Sequence, residues 1–281
     1  MTFGMLAAVA VGIKRSINNW RLWVGVYLVN FIFAAVLTLP IAGVVAKDVS
    51  KSLDGTDLMG EFNVRWYTGF LSANGEFLRS LIPQAVFVLT IYALVEVFFA
   101  GGFYSSFSGK NRMKFGEFLY AGGSHFLAML FVAVMEIGFF FLLYEAIGRQ
   151  FSGTGGQVIA GILLMIIILF ADFVRAAVVI DNDRFWSKVK RGISFTVRHP
   201  LSTVGIYLCC MSISVVMVGL FYGFHLIDNS TSTFGVFLEI IIAQIFVLLR
   251  IFSRLIFYAG EAVLYKENQI EVIKVRPEML E

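Results

Sequence analysis

The ionisable residues that stand inside long apolar runs of this chain are Glu96, Glu136, Asp172, Arg175, Glu239, Arg250 and Arg254. A charge in such a run is costly unless it faces a protein interior or a water-filled cavity, where it pairs or handles ions and protons. Three readings follow. In the first, Glu96 and Asp172 pair with Arg175, Arg250 and Arg254 and lock helices together. A planar guanidinium can bridge two carboxylates, which suits arginine in a charge layer. In the second, Glu136 is the leading titratable group of a polar passage for a small solute or lipid, with Glu96, Asp172 and Arg250 beside it. In the third, the charges meet a partner subunit. Near equality of acids and bases favours the first reading.

Chemistry of other kinds has few carriers. His125, His199 and His225 stand apart, without the spacing of a metal motif such as HExxH. No phosphate-binding loop, GxSxG elbow or paired-cysteine site occurs. Cys209 and Cys210 are adjacent, so they face different sides of one helix and make no disulfide framework. No enzyme activity, cofactor or metal is expected.

The elements that must hold these charges are membrane helices. Of the 281 residues 59% are hydrophobic and only 15% charged, where soluble proteins carry about a quarter. A span needs about 20 mostly apolar residues, at 1.5 Å per residue across roughly 30 Å of hydrocarbon. Six stretches qualify, at about 22–45, 83–104, 126–147, 158–180, 201–225 and 235–262. None alternates as a barrel strand would. The expected fold is all-α, a single polytopic membrane domain over 1–281 with six transmembrane helices in three hairpins. From the outer ends of their helices, Glu96, Asp172 and Arg250 lie roughly 20 Å in. Arg175 and Arg254 follow one turn deeper, and Glu136 lies near mid-membrane on an outgoing helix.

Orientation follows from the loops. Lys14, Arg15, Arg21, Lys110, Arg112, Lys114, Arg184, Lys188, Lys190, Arg191, Arg198, Lys266, Lys274 and Arg276 fall on one side. Only Lys47, Lys51, Arg65, Arg79 and Arg149 fall on the other. The positive-inside rule puts both termini in the cytoplasm, with the protein in a bacterial inner (cytoplasmic) membrane. The apolar start, 1–13, precedes its charges rather than following them, so no cleavable signal peptide is expected. Membrane lipids, other membrane protein subunits and no nucleic acid are the expected partners.

The chain also repeats. Lys14-Arg15-Ser16-Ile17 before Gly25-Val26-Tyr27-Leu28 matches Lys190-Arg191-Gly192-Ile193 before Gly205-Ile206-Tyr207-Leu208, and 112–118 is a weaker third copy. Each hairpin is expected to begin with a basic amphipathic helix lying in the cytoplasmic interface. Residues 46–82 should form one or two helices on the outer surface, with Leu58, Phe62, Trp66, Phe70 and Leu71 at helical spacing. Asp54-Gly55-Thr56-Asp57 reads as a turn, since the closing glutamate of a calcium loop is missing. Gly219 and Gly223 form a GxxxG pattern expected to serve helix packing.

The stretches DFVRAAVVID (172–181), KRGISFTVRHP (190–200) and EAVLYKEN (261–268) resemble a diffuse group of bacterial six-span membrane proteins. That group includes uncharacterised families and the membrane domain attached to some glycerophosphodiester phosphodiesterases. The resemblance implies the membrane architecture alone. The soluble phosphodiesterase domain, with its His and Glu/Asp site, has no counterpart here. The functional expectation is therefore a non-catalytic membrane protein, an accessory or scaffold component of a membrane assembly, with a small-solute or lipid transporter as the alternative.

Overall fold

A computed structural model describes residues 4–49, 64–109, 112–146, 154–227 and 233–275. Among these residues the chain is all-α, with no strand. In order the helices are α1 (Met5–Asn18), α2 (Trp20–Val49), α3 (Val64–Ala73), α4 (Gly75–Ser108), α5 (Phe115–Ala146), α6 (Thr154–Ile180), α7 (Phe185–Arg198), α8 (Pro200–Ile227) and α9 (Thr233–Val275). Six of them, α2, α4, α5, α6, α8 and α9, are long and apolar enough to cross a membrane.

The breaks between helices have local causes. Asn19 ends α1, its side chain returning to the Arg15 carbonyl at 2.9 Å. Asn74 separates α3 from α4 in the same way, reaching the Phe70 carbonyl at 3.1 Å. His199 ends α7 because it precedes Pro200, whose ring disfavours helical backbone in the residue before it. Pro200 then opens α8, where its missing N–H is no loss.

Several boundaries differ from the sequence reading. The second span begins at Gly75 rather than 83, with Pro83 inside the helix. Proline is tolerated within membrane helices because neighbouring groups satisfy the freed carbonyl. The last helix runs on past 262 to Val275. No separate interfacial helix precedes α5: Arg112–Lys114 are non-helical and Phe115 starts α5 directly. The link from Ser108 to Phe115 is too short to hold one. Within the expected outer segment, α3 is helical and Trp66 stacks on Phe70 with ring centroids 5.2 Å apart. Leu58, Phe62 and the 54–57 turn lie outside the described residues.

The chain divides into two compact units. One comprises Val24–Val95 and Met217–Leu249. There Phe33 meets Tyr92 edge-on at 5.3 Å, Phe221 meets Phe246 at 4.6 Å, and Tyr27 donates to Gln244 Oε1 at 2.7 Å. The other comprises Met1–Trp23, Glu96–Val216 and Arg250–Glu281, and it holds nearly all of the buried core. Its centre is aromatic: Phe99, Phe103, Phe107, Phe118 and Tyr258 pack ring against ring. On α5 the outward residues, among them Leu127, Val134, Ile137, Phe141 and Leu142, are as apolar as a core. Such a surface is stable facing lipid and costly facing water.

The short helices α1 and α7 dock by small residues. A Cβ at Gly192 of α7 would fall 2.7 Å from Val174 Cα on α6, so only glycine allows this approach. Gly12 of α1 sits equally close to α9, where a Cβ would meet Gly260 N at 3.0 Å. Ser16 and Gly192, matched positions of the KRSI and KRGI stretches, are both buried. On α7 the side away from α6 exposes Trp186, Ile193 and Val197 alongside Lys190, Arg191 and Arg198.

Cations close the ends of two spans. Arg15 donates to the Phe107 carbonyl and Lys266 to the Ser108 carbonyl at 2.8 Å, both at the C-terminus of α4. Lys188 donates to the Val178 carbonyl at 2.9 Å, near the end of α6. These carbonyls have no partner within their own helix, and the helix dipole there favours positive charge. Partial burial lowers the pKa of Arg15 from its ordinary value, with Glu267 acting in the opposite direction. The guanidinium stays charged all the same.

Candidate functional site

Asp172 and Arg175 lie three residues apart on α6, hence on one helix face. The guanidinium reaches back to Asp172 Oδ1 at 2.5 Å and across to Glu136 Oε2 on α5. The other oxygen of Asp172 accepts the Tyr207 hydroxyl from α8. Three helices are thereby joined through one arginine. The Asp172 side chain is 6% exposed, Glu136 16% and Arg175 18%, so solvent screens these contacts weakly.

A second group is built on α4 and α9. Arg254 bridges to Glu96 Oε2 at 2.6 Å and donates to the Tyr258 hydroxyl one turn on, at 3.1 Å. Tyr104 of α4 donates to Glu261 Oε2 at 2.7 Å, and its ring meets Tyr258 edge-on at 5.2 Å. Asp172 and Arg175 act electrostatically on Tyr104, Tyr258 and Glu261, so the two groups form one polar neighbourhood.

A third polar set joins the end of α6 to α7 and α9. Asp181 accepts the Tyr265 hydroxyl at 2.9 Å and lies 3.8 Å from Arg191, which also pairs with Asp183 at 2.5 Å. Gln269 donates to the Tyr265 oxygen at 2.7 Å. These bonds fix the link between α6 and α7 against the last turns of α9.

The structure brings five of the sequence-expected residues together, Glu96, Glu136, Asp172, Arg175 and Arg254. Of the three arginines open to it, Asp172 takes Arg175 from its own helix. Arg175 lies one turn away on the same face, and Arg254 is engaged by Glu96. Glu136 is drawn into the ion pairs instead of standing alone. Arg250 is exposed and stands apart from the charge layer, and Glu239 lies in the other unit. The GxxxG residues also differ: a Cβ at Gly219 or Gly223 meets nothing within 4 Å among the described residues. Close helix approach is made at Gly12 and Gly192 instead.

Four members were missed from sequence: Tyr104, Tyr207, Tyr258 and Glu261. Arg254, Tyr258, Glu261 and Tyr265 recur at i, i+4, i+7 and i+11, which puts Glu261 on the same face of α9 as Arg254. That periodicity was a usable signal. Tyrosines carry no comparable signal, since a phenol is as common facing lipid headgroups as facing a charge.

The histidines are not part of this neighbourhood by any observed bond. His199 packs on Phe195 at 4.9 Å between ring centroids, and the His225 side chain lies outside the described residues. Among the described residues, no group of three or more His, Cys, Asp or Glu side chains is placed to hold a metal ion. The arrangement holds opposed charges in direct contact. Compared with protein-family models, curated proteins and solved structures, the chain matches none.

Proposed function

We propose that this six-span protein is a non-catalytic accessory or scaffold component of a membrane assembly. The observation that carries the reading is the mutual engagement of its intramembrane charges. Glu136 and Asp172 share Arg175, and Glu96 holds Arg254. An ionisable group committed to such pairs braces helices and is poorly free to escort a solute. What remains for recognition is the outside: apolar faces on the long helices and a mixed apolar and basic face on α7.

On this reading the protein resides in a bacterial cytoplasmic membrane with both termini inside, its partners being lipids and other membrane subunits. The excess of Lys and Arg around α1 and α7 supports that orientation. The test is purification from native membrane in mild detergent, followed by identification of co-purifying chains. A stoichiometric membrane partner is expected. A protein that runs alone and conducts or exchanges solute in liposomes, with flux lost in Glu136→Gln, would establish the transporter instead.

A further inference from the structure

Glu261 is fully buried, on the part of α9 packed into the aromatic centre of its unit. One carboxyl oxygen accepts the Tyr104 hydroxyl at 2.7 Å. The other, Oε1, is buried with no hydrogen-bond partner. Among the described residues no cation forms an ion pair with it. Arg175 is taken by Asp172 and Glu136, and Arg254 by Glu96 and Tyr258.

The titratable or charged groups acting on this carboxyl come from every element packed around it. They are Tyr104 on α4, Asp172 and Arg175 on α6, Tyr207 and Cys210 on α8, and Tyr258 one turn earlier on α9 through its contact with Tyr104. Among the described residues, Glu136 and Asp172 meet Arg175 and Glu96 meets Arg254, whereas the bond made by Glu261 is to a phenol. An ionised Glu261 would place a carboxylate at the most buried point of the layer with a neutral donor against it.

An ionised carboxylate has about four acceptor positions to fill and a large desolvation penalty to offset. A single phenol donor at 2.7 Å meets neither demand. A protonated carboxyl asks for less. It keeps Tyr104 as donor to one oxygen, and its own O–H becomes a donor. Tyr207 lies within hydrogen-bonding reach of the carboxyl, and a phenol oxygen can accept as well as donate. Its proton is already committed to Asp172, which leaves a lone pair on the phenol oxygen. The bonds then run in one direction, from Glu261 through Tyr207 to Asp172, with every donor used once.

We propose that Glu261 is a proton-binding site inside the membrane domain, holding its proton at neutral pH and presenting it to the Tyr207–Asp172 pair. The ligand is a proton from water and not a metal or ammonium ion. The carboxyl has one free oxygen lone-pair direction, with no second carboxylate bonded to it to build a cation shell. This goes beyond the scaffold reading and is independent of it, since a brace and a transporter can each carry a bound proton.

Infrared spectroscopy of the full-length protein in lipid tests this directly. The wild type at neutral pH is expected to show a protonated-carboxyl C=O band that shifts in heavy water. The band should be absent in Glu261→Gln, which keeps an acceptor for Tyr104, and present in Glu96→Gln. It should be indifferent to replacing potassium by sodium at constant pH. Absence of the band from the wild type overturns the proposal. So does a band that survives Glu261→Gln but vanishes in Asp172→Asn, or one removed by sodium. If the Gln variant fails to fold, titration of the wild type decides: the band must persist as the pH is raised past the ordinary carboxylate range.

Discussion

Replacing Arg175 by glutamine tests the central pairing. The guanidinium touches Asp172 at 2.5 Å and also Glu136, and among the described residues neither acid has another cation in contact. Its removal strands two carboxylates whose side chains are only 6% and 16% exposed. Breaking a buried pair from one side costs about 3–5 kcal/mol in soluble interiors. The loss here belongs at the lower end of that range, because charges in lipid recruit water and thin the bilayer around them. Glu136→Gln alone should do less harm, since Arg175 keeps Asp172. The double variant Glu136→Gln with Arg175→Gln should then lose less than the sum of its parts, with a coupling of roughly 1–3 kcal/mol. Asp172→Asn with Arg254→Gln is the contrasting pair. Those side chains have no bond to each other and share Tyr258 as a neighbour, so their coupling should stay under about 1 kcal/mol. The assay is unfolding of the detergent-solubilised protein for both cycles. Additive losses for Glu136 and Arg175, or a coupling above about 1 kcal/mol for Asp172 and Arg254, would refute the pairing.

Other outcomes follow from single contacts. Gly192→Ala drives a methyl group to 2.7 Å from backbone atoms of α6 that cannot swing away. It should cost about 1–3 kcal/mol, whereas Gly161→Ala, with open space around it, should be neutral or stabilising by up to about 1 kcal/mol; the same unfolding assay separates them. Tyr265→Phe removes the 2.9 Å bond to buried Asp181 and should cost about 1.5–3 kcal/mol. Arg191→Ala, from a side chain 53% exposed, should cost under about 1 kcal/mol by the same assay. In a background lacking Cys209 and Cys210, a cysteine at Lys188 should react with impermeant thiol reagent only after permeabilisation, and one at Gly155 before it. The reverse order inverts the topology.

The six spans were legible because length and hydropathy alone define them, and the distance from Trp20 to Gln269 is divided among them with little ambiguity. Depth was a partial guide: of Glu96, Asp172 and Arg250, read at one level, the first two fall in one polar neighbourhood, and Arg254, read one turn deeper, stands there where Arg250 was expected. What hydropathy does not encode is the direction in which a side chain leaves its helix. Depth alone allows Asp172 to meet Arg250, yet Arg250 points outward and Arg175, three residues along, was the nearer partner throughout. Glu261 was lost for a different reason. Its helix continues past 262, and ending the span there left Glu261 at the last turn, where an acid reads as interfacial, when residues 261–265 are among the most buried in the chain. At Gly219 and Gly223 no described residue lies within 4 Å of an added Cβ, so the packing read from that pattern has no counterpart among them.

The seat of α1 has a consequence in time. Gly12 rests against Gly260, 248 residues further along the chain. At about 5–20 residues per second of synthesis, α1 waits roughly 12–50 s for the surface it docks on. During that interval α1, whose Ala8, Val9 and Ser16 are buried in the finished protein, lacks the α9 side of its seat. Arg15 can already reach the end of α4, but Lys266, the second cation there, arrives only with the last helix. Tyr104 likewise waits for Glu261. A nascent chain stalled within α9 would therefore display an undocked first helix, an open helix end and an unmatched phenol together. These are marks by which a membrane protease can tell an unfinished copy from a finished one.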